Sequence, residues 1–302
     1  MTRLKTINLG RDCAVTSLPG GRLQLQQGPI NIVVKAYGHE RAVNSAYAKA
    51  IDYFPNILQR LVANLDVLKR PLKAETQLHD CATSTKMVNA ASPYQDRFVT
   101  PMACVAGAVA DDVVSVMAPT PGIEKIFANN GGDIALYLSA RKSISIGVVP
   151  SLVDAVREGK MVIHHDDHIG GIATSGWCGT SYSMGIADAV TVLARNAADA
   201  DIAATLIANE VNIDSTVIKR ARAIDLDDTS DLGERLVTTA VGPLSLDKKR
   251  AALAAGVCYA QKLIDQKMIT AALLNVQGEW AVTGDTKFKV RETITNQITT
   301  GK

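Results

Sequence analysis

Aromatic side chains are scarce in this chain, 4% of 302 residues, so its core has to be built from Ala, Val, Leu and Ile. Cysteine is also sparse: Cys13, Cys81, Cys104, Cys178 and Cys258 are odd in number, far apart, and form no CxxC pair. That spacing argues against a disulfide framework or a structural zinc site and fits a reducing compartment. No apolar run approaches the roughly 20 residues that a membrane helix needs. The opening MTRLKTINLGRDCAVTSLPGG contains no apolar segment of the kind a signal peptide uses. The expectation is a cytoplasmic protein without a membrane partner. Charge of neither sign dominates, with 32 Lys+Arg against 30 Asp+Glu, and no basic stripe is interleaved with aromatics. This argues against a dedicated nucleic-acid binder. Also missing are GxGxxG, GxxxxGK[ST] and GxSxG, which removes the usual dinucleotide, P-loop and hydrolase-elbow readings.

What the chain does have is a stretch from Gly171 to Asn209 packed with Gly, Ala, Ser, Thr and Asp, whose only basic residue is Arg195. Small side chains allow close backbone approach, and hydroxyls and carboxylates supply polar contacts, so the stretch reads as the wall of a binding site. Around it the periodicities predict an α+β protein with antiparallel sheet. Arg22–Lys35 reads as two short strands about a Gly28-Pro29 turn. From His39 a helical period runs on, with Pro55 breaking it at Phe54. Residues 70–99 are polar and aperiodic and read as a long loop, from which Lys86, Asp96 and Arg97 are within range of a ligand. Thr100-Pro101 is expected to cap a helix rich in small residues, with Thr as the N-cap. Further strands are expected over IALYLS, SISIGVVP, MVIHH, 187–194, 235–241 and 268–276, and helices over 197–209 and 246–265. The last twenty residues are polar and expected to fray.

Three constellations could carry chemistry. Asn129-Asn130-Gly131-Gly132-Asp133 is a turn whose glycines permit positive φ and expose consecutive N–H groups, either a hairpin connection or an anion nest. Asp201 and Thr205 lie four apart on a helix and so share a face. Their oxygens suit Mg²⁺, but the same pair is also explained by Asp201 favouring the helix N-terminus and Thr205 packing. Cys178, in the loop Trp177–Ser181, would be a nucleophile if a base or positive charge lowered its pKa. The run His164-His165-Asp166-Asp167-His168 cannot converge on one ion, since neighbours on a strand point to opposite faces, and it reads as a polar strand end.

Taken together, three blocks resemble the ApbE superfamily, flavin-handling proteins typified by FAD:protein FMN transferase. Asn130-Gly131-Gly132-Asp133-Ile134 is similar to its asparagine–glycine–glycine–acid–isoleucine turn. Thr174-Ser175-Gly176 with Ala189-Val190-Thr191-Val192 resembles its threonine–serine–glycine block and VTV strand. Ala200-Asp201-x-x-Ala204-Thr205 resembles its ADALATA helix. An uncharacterised branch carrying TPMAxVAGAxAD, NNGGDIAL, GIATSGW and GIADAVTVLA matches best, over about Gly28 to Gln277.

The resemblance implies one domain over 1–302 made of two T-fold-like halves meeting near residues 140–150, with the ligand between them. It implies Mg²⁺ at Asp201, Thr205 and the Ala106 carbonyl, and FAD or FMN as the ligand. Asn130, Gly131, Gly132 and Asp133 would bind that ligand from one side, and Thr174, Ser175, Gly176 and Ser181 from the other. T-fold proteins often assemble, so a homo-oligomer is compatible with it. Two departures bear on the reaction. The family's DLGGIAKG helix start falls on Pro101–Ala108, where the lysine position is Gly107. Its HxxDPxTG segment, which holds the candidate base, has no counterpart between Trp177 and Asp188. The implied function is a Mg-assisted flavin or nucleotide-type pocket with a reaction other than standard FMN transfer, and no residue is singled out as catalytic. A non-catalytic scaffold that keeps the fold, and a cysteine-dependent enzyme using Cys178, are the alternatives.

Overall fold

The computed structural model describes residues 6–10, 13–73, 77–148, 159–285 and 289–290. The first part of the chain forms β1 (Thr6–Gly10), β2 (Cys13–Leu18), β3 (Arg22–Gln27) and β4 (Ile30–Gly38), then helices α1 (Glu40–Tyr53), α2 (Ile57–Val62), α3 (Leu65–Leu68), α4 (Ala82–Ala91) and α5 (Val105–Met117). Next come β5 (Ile123–Asn130), β6 (Asp133–Leu138), β7 (Ser143–Val148), β8 (Gly159–His164), β9 (Gly171–Ser175) and β10 (Ala189–Ala194). Helix α6 (Ala197–Glu210) precedes β11 (Ile218–Arg222), α7 (Ala223–Leu226), β12 (Leu236–Val241) and α8 (Leu246–Asp265). The described chain closes on β13 (Ala271–Val276), β14 (Glu279–Gly284) and β15 (Lys289–Val290). The frayed end expected from the sequence lies mostly outside the described residues.

Ten strands make one sheet in the order β1-β2-β3-β4-β5-β6-β9-β10-β13-β14, and every pairing in it is antiparallel. The α+β class expected from the sequence is the one observed. The expected boundary near 140–150 overlaps β7 and runs beyond the described residues, and β6 joins β9 through two residue pairs, Ile134↔Ile172 and Ala135↔Gly171. Because side chains alternate across a strand, the sheet has two distinct faces. On the inner face Ile32, Val34, Ile126, Ala128, Ala173, Val190 and Val192 are buried with residues of α1, α5, α6 and α8 in the main core. On the outer face the β7–β8 hairpin lays Met161 and Ile163 over Leu136, Leu138, Ile172 and Leu193, a second, smaller core.

Three expectations need correcting. Strands β1 and β2 were not legible from the sequence. The segment 70–99 is not simply a loop, because α4 forms within it. Its sequence, ATSTKMVNAA, has poor intrinsic helix propensity. Tertiary contacts decide the matter: Met87, Ala90 and Ala91 are buried, and Thr83 and Lys86 both bond the buried Asp112 on α5. Finally, Thr100 does not cap a helix with its side chain. Residues Pro101–Cys104 form a 3₁₀ turn before α5, and Thr100 Oγ1 donates to Asp231 instead.

Candidate functional site

Helices α5 and α6 touch backbone to backbone, and the sequence permits this at one position above all. A Cβ added to Gly107 would sit 2.3 Å from the Ala197 carbonyl oxygen, so only glycine lets the two helices meet there. The N-terminus of α6 is capped twice. Asn196 Oδ1 accepts from the Asp199 N–H at 2.7 Å. The two oxygens of Asp111, reaching across from α5, accept from the Ala197 and Ala198 N–H groups, each at 2.9 Å. Those groups are orphan donors of a first turn.

Since the cap is already filled, Asp201 is not needed for it. Its carboxylate is buried and faces α5, where Oδ2 accepts the Gly107 N–H at 2.9 Å. Burial holds its pKa well above the ordinary carboxylate value, and the neighbouring Asp133 and Asp111 push in the same direction, against the Gly107 bond. Asp133, half-buried at the start of β6, is raised to about 7 by burial, opposed by the Thr174 N–H that donates to it at 3.3 Å. A buried acid with a second acid beside it is an expensive arrangement for an empty structural interior.

The surrounding donors are oxygen. Residue 106 offers its carbonyl, to which Asn130 Nδ2 donates at 3.1 Å. Thr205, one turn beyond Asp201 on α6, approaches Ser175 Oγ on β9 at 3.4 Å. Thus Asn130, Asp133, Ser175, Asp201, Thr205 and the Ala106 carbonyl gather on the inner face. Hard oxygens around uncompensated acids are a donor set that fits Mg²⁺. Among the described residues no group of three or more His, Cys, Asp or Glu side chains is placed to hold a metal ion. The candidate depends instead on mixed carboxylate, hydroxyl and carbonyl donors.

Other predicted residues fall elsewhere. Gly131 and Gly132 form the two-residue connection of the β5–β6 hairpin with φ of +69° and +114°, and an added Cβ on either would meet open space. The side chain of Asn129 closes that turn by accepting the Gly132 N–H at 2.9 Å. The side chain of Thr174 points to the outer face, where its Oγ1 lies 2.8 Å from Thr191 Oγ1, because it directly precedes the inward Ser175. Gly176 backs onto the Asp188 carbonyl, and Ser181 is exposed in the 177–188 loop.

The small residues of 171–209 serve mainly for packing rather than as a ligand wall. All six alanines of α6 are buried in the core, and Gly185 abuts the Ala208 carbonyl. Lys86 pairs with Asp112, and Arg97 pairs with Glu210 and lies 4.1 Å from the Tyr259 ring centroid, so both are structural. The surroundings of Cys178 do not favour the thiol reading. Burial and the adjacent Asp188, to which the sulfur donates at 3.8 Å, raise the Cys178 pKa to about 11, the reverse of an activated nucleophile. The histidine run ends β8 as a polar corner, with His165 Nδ1 2.7 Å from the Leu138 carbonyl. Asp111 is the residue that sequence reasoning missed. Its only signal was an acid one helix turn beyond Gly107.

Comparison with known proteins agrees with this picture at the level of family. A family model described as AbpE bacteria matches residues 15–282. The UPF0280 protein MK0206 of Methanopyrus kandleri is 34% identical over 210 residues, covering 68% of this chain and 82% of that one. A UPF0280 protein of Methanothrix thermoacetophila is 34% identical over 131 residues, 43% of this chain and 54% of its own length, so the chain spans about half of that relative. The chain belongs to the ApbE-like family that this model defines. The apo crystal structure of the flavinyl transferase ApbE from Pseudomonas stutzeri aligns over 94% of this chain and 95% of its own, at 12% identity and a TM-score of 0.42. A likeness at that score adds nothing to the assignment, which rests on the sequence model. No helix among the described residues is long and apolar enough to cross a membrane.

Proposed function

We propose that the inner-face cluster is a Mg²⁺-assisted pocket for a phosphate-bearing ligand of the flavin or nucleotide type. The observation that carries this reading is Asp201: a buried carboxylate, not needed at the α6 N-terminus that Asn196 and Asp111 cap, beside a second acid. Asp201, Thr205 and the Ala106 carbonyl would hold the ion, whose positive charge, when bound, offsets both the acid pair and ligand phosphate oxygens. Asn130, Gly131, Gly132, Asp133 and Ser175 would line the ligand side, with Thr174 contributing its backbone. Gly176 and Ser181 stand further along the same chain path. In this reading the sheet is built of two T-fold-like halves meeting at β6 and β9. With Gly107 in place of the family's lysine and no histidine between Trp177 and Asp188, the reaction differs from standard FMN transfer.

The test is thermal unfolding with FAD, FMN and simple nucleotides, with and without Mg²⁺. A ligand that binds only the native state raises the melting temperature. We expect a flavin or nucleotide shift that requires Mg²⁺ and vanishes in Asp201→Asn. The same substitution should not destabilise the ligand-free protein, because the amide keeps an acceptor for the Gly107 N–H and removes the cost of burying a charge. No shift with any ligand, or one untouched by Asp201→Asn, would sink the proposal.

A further inference from the structure

The opposite side of the same turn carries a groove of about 380 Å³ on the outer face of β3, β4 and β5. Its floor is apolar, from Val33 and Phe127, and its rim is Arg22, Asn31, Asn129 and Gly131. The rim offers donors rather than acceptors. Asn129 spends its carbonyl oxygen on the Gly132 N–H, which fixes the orientation of the amide and leaves its NH₂ to the groove. Asn31 Oδ1 likewise accepts from Gln24 Nε2 at 2.8 Å. Arg22 uses Nε on the Pro19 carbonyl at 3.1 Å, so its two terminal nitrogens remain available. Among the described residues no carboxylate lines the groove, and Lys35 sits beside Phe127 in the strand register. A concave site with an aromatic floor and convergent donors has the form of a small-ligand site. A rim with a guanidinium and amide N–H donors, and no carboxylate among its described residues, favours an anion.

We propose that this groove is a second ligand site, for a small anion that carries a planar apolar body, an aryl or nucleobase phosphate or carboxylate. The planar part stacks on Phe127 while Arg22 and the amides of Asn129 and Asn31 hold the anionic end. The site does not rest on the metal reading, because the side chains invoked, Arg22, Asn31, Phe127 and Asn129, lie on the outer face, although Asn130 and Gly131 border both sites.

The experiment is calorimetric titration of the full chain in EDTA with adenosine 5′-monophosphate and with benzoate, using adenosine and benzamide as neutral counterparts. Each anion should bind at least about tenfold more tightly than its counterpart, the range expected of charge-assisted hydrogen bonds. A preference between the two anions assigns the source as phosphate or carboxylate. Asn129→Asp keeps the cap on Gly132 while turning a donor into a negative acceptor. It should weaken binding by at least about tenfold with an unchanged melting temperature. Arg22→Gln, at an exposed position, should do the same, and it serves if Asn129→Asp does not fold. Asp201→Asn should leave binding intact. Saturation by neither anion, no preference over the neutral compounds, wild-type binding in both rim variants, or loss of binding in Asp201→Asn would each overturn the proposal.

Discussion

The two faces of the ten-stranded sheet present neighbouring residues to opposite environments. Asn129 and Asn130 are adjacent, as are Thr174 and Ser175, yet one of each pair faces the helices and the other faces outward. On the inner side, water is excluded by close helix contact, and burial alone is enough to lift Asp133 to about 7. On the outer side the same strands offer solvated amides and a guanidinium over a half-buried aromatic. The contrast teaches that in this chain function cannot be assigned to a motif as a block. A motif of five residues supplies two surfaces with different chemistry, and the register decides which residue serves which.

The largest effect that would break the contrast is loss of helix contact on the inner side. Gly107→Val should cost about 3 kcal/mol or more, measured by urea unfolding, because its side chain has only backbone to displace. Tolerance of valine would mean that α5 and α6 do not meet as described.

Second comes the thiol, which shows that exposure does not confer reactivity. With its pKa near 11, Cys178 in a Cys258→Ser background should react with iodoacetamide roughly a hundredfold more slowly at pH 7.5 than an ordinary thiol. The rate should climb about tenfold per pH unit towards 11, and Asp188→Asn should accelerate it. Fast alkylation at neutral pH would restore the nucleophile reading.

A smaller effect sharpens the inner face. Asp111→Asn imitates the protonated carboxyl, so it should be near neutral at pH 4 and stabilise by about 1–2 kcal/mol at pH 7, where the wild type buries the charge. The Asp111 carboxyl stands at about 6 in the folded protein, raised from 3.8 by burial. Between those values the native state holds a proton that the unfolded chain has released, so this group's contribution to stability falls as pH rises from 3.8 to 6 and is flat above. The stability difference between wild type and Asp111→Asn should follow that course in denaturation series run from pH 4 to 8.

The smallest effect compares neighbours. Thr174→Val should change stability by less than about 1 kcal/mol, since it removes one partly exposed hydroxyl pair. It should also leave any Mg²⁺-dependent melting shift intact, whereas Ser175→Ala should reduce that shift. Equal behaviour of the two variants would deny the facial separation.

Much of the fold was legible because it is written in local periodicity. Helix 246–265 and the break at Phe54 appear where the apolar spacing and Pro55 put them. Helix α4 was illegible because its stabilising partner, Asp112, lies far away in sequence. For the site, Asp201 and Thr205 were readable from i,i+4 spacing, but their freedom from capping was not, since it depends on Asp111 crossing from another helix. The outward turn of Thr174 follows from strand alternation once its neighbour is known to face α6. Composition misled at 171–209, where small residues equally satisfy ligand approach and tight packing, and packing takes most of them.

The β5–β6 hairpin has one more consequence, for tolerance to insertions. Asn129 and Asn130 are assigned to their faces by strand parity, and Asn130 pairs with both Ile32 and Asp133. Adding or deleting a single residue within β5 would exchange the two amides, taking the donor from the Ala106 carbonyl and the clasp from Gly132 in one event. Both faces would be damaged together by a change that alters no side chain, so the length of this strand is a shared constraint on them.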